Sequence, residues 1–187
     1  MPLFNAVLAV LLMTGCSAPM QLQSSSATCH ARHANRADPQ AWLPDPRCTP
    51  GSVNPAVTIG MLCPVAHTKQ WRPPTSYTNS LKHTQLGQYD YVDGDGDHPQ
   101  SSSSTEEDHL ISLQLGGSPR NPTNLWPEPH ASPNEKDAVE QVAHEALCAG
   151  KLTLPQVQQG IATDWYAFGK RLGTRMSSSG QLGTEGQ

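Results

Sequence analysis

The clearest pattern in the chain is at its C-terminal end. Val157, Ile161, Trp165, Phe168 and Leu172 step by 4, 4, 3 and 4 residues, which predicts an amphipathic helix starting near Thr153 or Pro155. A second stripe, Val139, Val142, Ala143, Ala146 and Leu147, predicts another helix before Gly150. Its start reads as a capping box, with Ser132 as N-cap, Pro133 at N1 and Glu135 at N3. Residues 77–88 predict a third helix. From Ile111 apolar and polar positions alternate, so 108–117 reads as a strand turning at Gly116-Gly117. Residues 17–50, with Ser24-Ser25-Ser26 and scattered prolines, show no periodicity and read as a linker with a small stapled loop.

The apolar run 3–13 is too short to span a bilayer and has the length of a signal-peptide core. It leads into Met13-Thr14-Gly15-Cys16, which resembles a lipobox with Cys16 as the lipidated residue. The expected organisation is a signal peptide at 1–16, a linker at 17–50, a folded domain at 51–175 and a tail at 176–187. No transmembrane helix is expected. The protein is read as exported, either anchored to a membrane by lipid or free outside the cytoplasm.

Four cysteines follow Cys16, an even number that permits three pairings, and none forms a C-x-x-C pair. Structural zinc is therefore disfavoured and disulfides are expected in an oxidising compartment. Cys29 and Cys48 share the proline-rich stretch, while Cys63 and Cys148 border ordered segments, so 29–48 and 63–148 are the expected bonds.

With 17 Pro, 15 Gly and only 36% hydrophobic residues, the domain should be small and loop-rich. The net charge of −4 excludes a generally basic nucleic-acid coat. Charge is nevertheless segregated. Between Pro46 and Tyr89 the charged residues are Arg47, Lys69, Arg72 and Lys82; from Asp90 to Asp108 every charged residue is acidic. A basic surface beside an acidic pocket suits a phosphate-bearing substrate next to a divalent metal. The run Asp93-Gly94-Asp95-Gly96-Asp97 is not an EF-hand, because His98 and Ser104 stand where that loop needs Gly and Glu.

The segment from Glu106 to Glu128 contains Asp108-His109, Gly116-Gly117 and Asn124-Leu125-Trp126-Pro127-Glu128, and a helix then opens with Asn134-Glu135-Lys136-Asp137. Asn124 lies 15 residues after His109, and Asn134 lies 10 after Asn124. In these motifs and spacings the chain resembles the HNH nucleases, and most closely a secreted subgroup. Residues 72–82 and 160–165 match further motifs of that subgroup in the expected order. The resemblance implies an α+β fold with a small ββα-metal core, extra C-terminal helices and disulfide staples. It implies an exported, metal-dependent endonuclease acting on nucleic acid, with DNA expected ahead of RNA as the substrate and the sequence not deciding between them.

On that resemblance His109 is the general base and Asn124 holds its loop by backbone hydrogen bonds. Asp108 and Asn134 are the metal ligands, with Asp137, His144 and His130 as rivals for the second place. Lys69, Arg72, Lys82 and Lys136 are the phosphate contacts. The cofactor is a divalent cation, Mg²⁺ first, with Mn²⁺ or Zn²⁺ as substitutes. Asp108 and His109 are adjacent, so on a regular strand they face opposite ways, and a bulge or a strand end must bring both to one site. Trp126 and Trp165 read as core. The competing function is a cell-envelope binding protein that keeps the fold without catalysis.

Overall fold

The computed structural model describes residues 28–63, 68–92, 101–130 and 132–176. The expected signal peptide, Cys16, the run Ser24-Ser25-Ser26, residues 93–100 and the expected tail from 177 lie outside the described residues. The fold is mixed α+β. Among the described residues five strands, β1 (Cys29–His33), β2 (Trp42–Leu43), β3 (Tyr89–Val92), β4 (Thr105–His109) and β5 (Leu125–Pro129), form two small sheets. The helices are α1 (Ile59–Leu62), α2 (Thr75–Leu86), α3 (Glu135–Cys148) and α4 (Leu154–Arg171). Among the described residues no helix is long and apolar enough to cross a membrane.

Helices α3 and α4 form where the periodicity places them. Val139, Ala143 and Leu147 of α3 are buried against Val157, Ile161, Trp165 and Phe168 of α4, together with Leu62, Ile111 and Leu115. Thr153 and Gln156 cap α4 reciprocally. The predicted start of α3 is corrected: Asn134 is the N-cap and forms the box with Asp137. Ser132 is diverted because its hydroxyl donates to Glu106 Oε1 at 3.0 Å.

The linker reading of 17–50 is corrected from Cys29 onward. Strand β1 pairs in parallel with β3, Cys29 opposite Tyr89, and antiparallel with β2. Tyr89, Tyr91, Trp42 and Trp126 form a second core there. Such pairing joins segments 60 residues apart and leaves no local periodicity to read. Both expected disulfides are present, Cys29–Cys48 and Cys63–Cys148. Trp126 and Trp165 are fully buried, as core residues should be.

The strand predicted over 108–117 lies earlier, at Thr105–His109, and pairs with β5 as an antiparallel hairpin. Beyond His109 the chain coils through a 3-10 turn at Leu113–Leu115. Leu110, Ile111, Leu113 and Leu115 are all buried, so their apolar character reflects enclosure on several sides, not a strand face. The predicted turn at Gly116-Gly117 is present: Gly116 has φ 78°, and a Cβ on Gly117 would sit 1.7 Å from the Ile111 carbonyl oxygen.

Candidate active site

The β4–β5 hairpin is two-stranded, so one edge of β4 is open. A cleft of about 240 Å³ is lined by Glu106, Glu107, Asp108 and His109 of that strand. Its walls include Arg72, Thr75 and Thr78 at the start of α2, and Asp137 and Glu140 of α3. Because the cleft meets β4 where the strand ends, the adjacent Asp108 and His109 both reach it despite their alternating faces.

His109 is buried, and its Nε2 lies 3.1 Å from the Pro119 carbonyl oxygen. A carbonyl only accepts, so Nε2 carries the proton and Nδ1 is left with its lone pair. Burial lowers the pKa of the ring from its ordinary value. Burial thus favours the neutral ring over the opposing pull of the Pro119 hydrogen bond, and that bond leaves the basic lone pair on Nδ1.

Asn124 sits just before β5 with no exposed surface. Its Oδ1 accepts from the Ile111 and Ser52 amides, and its Nδ2 donates to the Ile111 and Ser118 carbonyls. Its own carbonyl accepts from Leu110 N–H at 2.8 Å. Asn124 therefore ties together the loop after His109, the task that the resemblance implies for it, and does not face the cleft.

Period-two alternation puts Glu106 on the same face as Asp108, and the register sets Glu128 of β5 directly opposite Glu106. One oxygen from each of Glu106, Asp108 and Glu128 lies within 4.8 Å of the others. Glu128 Oε2 is buried with no hydrogen-bond partner. Burial, reinforced by the Asp108 charge, raises the pKa of both Glu106 and Glu128, the latter strongly. Three crowded carboxylates with an orphaned oxygen fit a hard cation, and an all-oxygen set fits Mg²⁺ or Mn²⁺ better than Zn²⁺.

The other predicted ligands are placed differently. Asn134 Oδ1 accepts from Asp137 N, and its Nδ2 donates to Glu106 Oε1 at 3.2 Å and to the His130 carbonyl. It caps the helix and steadies Glu106. Asp137 lines the cleft, but one of its oxygens is held by the Asn134 amide. His144 bonds the Leu62 carbonyl beside the 63–148 disulfide, and exposed His130 bonds the Pro39 carbonyl. Neither joins the carboxylate group.

Of the predicted phosphate contacts, only Arg72 is an exposed cation lining the cleft. Lys69 is exposed on the 3-10 turn Thr68–Gln70 and does not line the cleft. Lys82 is half-buried and donates to the Ser102 and Thr105 carbonyls. Lys136 is corrected outright: it is 2% exposed and bonded to Asp108, Glu140 and the His109 carbonyl, out of reach of a substrate.

Neither Glu106 nor Glu128 is named from the sequence as a candidate ligand, because a glutamate is by default an exposed residue. Glu106 precedes the stretch read as a strand, and only the placement of β4 at Thr105–His109 puts it on the Asp108 face. Glu128 needed the register. Glu107 lies on the opposite face of β4 with both oxygens buried and unpartnered, and burial, with the Asp108 charge added, pushes its pKa up to about 8.

Comparison with protein-family models, curated proteins and solved structures finds no match for this chain.

Proposed function

We propose that this protein is an exported, metal-dependent endonuclease of the HNH type, hydrolysing phosphodiester bonds of nucleic acid. The observation that carries the reading is His109: a neutral imidazole at a strand end, its Nε2 proton fixed by Pro119, beside three converging carboxylates. The hairpin β4–β5 followed by α3 agrees with the ββα order that the motifs imply. The two disulfides fit an oxidising compartment outside the cytoplasm.

In this reading His109 Nδ1 takes a proton from a water molecule in the cleft. The water oxygen bonds to phosphorus, the P–O bond to the departing sugar oxygen breaks, and that oxygen is protonated by solvent. Arg72 contacts a non-bridging phosphate oxygen from the α2 side of the cleft. Asn124 keeps the His109 loop in place. Glu106, Asp108 and Glu128 would hold the divalent cation, which would supply Lewis-acid stabilisation of the phosphate charge.

A plasmid-nicking assay with Mg²⁺, Mn²⁺ or EDTA tests this. Wild type should nick with either metal and stop in EDTA, and His109→Ala should be inactive. Wild-type protein that leaves plasmid intact with every metal would overturn the reading in favour of a binding protein without catalysis. Equal cutting by His109→Ala would remove His109 as the base.

A further inference from the structure

Lys136 sits where a lysine is least expected. It lies in the first turn of α3, the positive end of the helix dipole, and it is fully buried. A buried ammonium is costly unless every donor is paired. Here it is: Nζ donates to Asp108 Oδ2 at 2.5 Å, to the His109 carbonyl oxygen at 3.0 Å and to Glu140 Oε1. Burial by itself would lower the lysine pKa, but the Asp108, Glu140 and Glu128 charges together carry it well above its ordinary value.

Two of the three bonds go to the Asp108-His109 dipeptide. One takes Oδ2 of Asp108, whose carboxylate also stands in the group with Glu106 and Glu128. The second holds the main chain of His109 while Pro119 holds its ring, so the direction of Nδ1 is fixed from both ends. The third, to Glu140 one turn along, anchors the ammonium to α3. We propose that Lys136 is a positioning residue of the hydrolytic site: it ties the general base and the Asp108 ligand to helix α3 in one register. The proposal rests on the nuclease reading above.

The test compares wild type, Lys136→Arg and Lys136→Met as full-length chains. Each is followed by thermal melting, nicking kinetics and Mn²⁺ titration. Lys136→Arg keeps the charge, but a planar guanidinium does not direct donors at three such acceptors. It should lower kcat about tenfold with KM within about threefold. Lys136→Met should lower kcat about 100-fold, the scale of a misplacement near 1 Å. Its Mn²⁺ binding should tighten, because a competing cation has left the carboxylates. Slower turnover with tighter metal binding is a pair that general loosening of the fold does not produce. If Lys136→Met does not fold, the kcat and KM of Lys136→Arg decide. An unchanged kcat in a folded variant of an active enzyme would overturn the proposal alone. A higher KM at constant kcat would make Lys136 a substrate contact and also overturn it. A wild type that does not nick would overturn the nuclease reading and the proposal together.

Discussion

Asn124 grips Ile111 by both ends of its peptide: Oδ1 accepts the Ile111 N–H and Nδ2 donates to the Ile111 carbonyl, each at 3.0 Å. One side chain thus reproduces strand pairing for a segment that has just left the hairpin. Gly117 makes this possible, since a Cβ there would approach both the Ile111 carbonyl and Asn124 Nδ2 to less than 3 Å. The loop that carries the Pro119 carbonyl to His109 is therefore closed by an amide in no contact with the cleft.

The first prediction follows from that closure. Asn124→Ala strands the Ile111 N–H and carbonyl in the interior, and each unsatisfied group costs about 1–3 kcal/mol. The expected loss is about 3–4 kcal/mol in urea melts, with amide exchange at Ile111 accelerated. A loss below about 1 kcal/mol would mean that water replaces the amide.

The second prediction separates ligands from capping. Glu106→Gln, Asp108→Asn and Glu128→Gln each remove one carboxylate charge from the group and should weaken Mn²⁺ binding at least about tenfold by calorimetric titration. Asn134→Ala should cost about 0.5–2 kcal/mol of stability as a lost cap, with a smaller change in affinity. His109→Ala should bind Mn²⁺ nearly as wild type does. If instead Asn134→Ala abolishes binding and Glu128→Gln does not, the metal lies at the helix start and the cross-strand carboxylates are not its ligands.

Helices α3 and α4 were legible because their burial is one-sided, and a one-sided stripe has a period. The hairpin was not. Strand β4 reads Thr-Glu-Glu-Asp-His, with no apolar alternation, and β5 reads Leu-Trp-Pro-Glu-Pro and is buried at every position. Two prolines also argue against a strand, since each lacks an N–H. They are tolerated because β5 pairs on one side only. His109 was readable as chemistry through its motif, and its tautomer only through Pro119. Lys136 was misread because basic residues near acidic ones look like substrate contacts; its three-way pairing depends on how α3 docks onto β4.

The third prediction concerns Asp45, which anchors the N-terminal sheet. Its carboxylate accepts from the His30 and Arg47 amides, each at 2.9 Å, and from the Arg47 guanidinium at 2.7 Å. The Arg47 hydrogen bond, foremost among these, holds the Asp45 pKa far below the usual carboxylate range. A depressed folded-state pKa gives stability that is present above the unfolded value, about 3.9, and is lost as pH falls below it. The Arg47 side chain is mostly exposed, so screening limits the gain. Asp45→Asn should therefore cost about 1–2 kcal/mol at neutral pH, and the difference from wild type should shrink steadily as pH falls below about 3.9 towards the depressed folded-state value. A difference independent of pH would show that the charge contributes nothing.

The fourth prediction concerns the long disulfide. Cys63–Cys148 joins residues 85 apart in sequence, and that loop contains α2, the hairpin, the cleft and most of α3. Cys29–Cys48 closes a separation of only 19. Loop-closure entropy grows with the logarithm of loop length, so the longer bond is worth about 4–5 kcal/mol and the shorter about 3. Cys148 sits at the end of α3, on the opposite terminus from Asn134 and Lys136, and Leu62 beside Cys63 packs in the same core as Leu147. Cutting the bond therefore releases the far end of α3 while its capped, ion-paired start stays attached to β4. Cys63→Ser with Cys148→Ser should lower the melting temperature more than Cys29→Ser with Cys48→Ser. Below its own melting point the 63–148 variant should keep most of its Mn²⁺ affinity, because Glu106, Asp108 and Glu128 all lie on the hairpin. Loss of metal binding in a still-folded variant would show that the site depends on the docking of all of α3, not on its first turn alone.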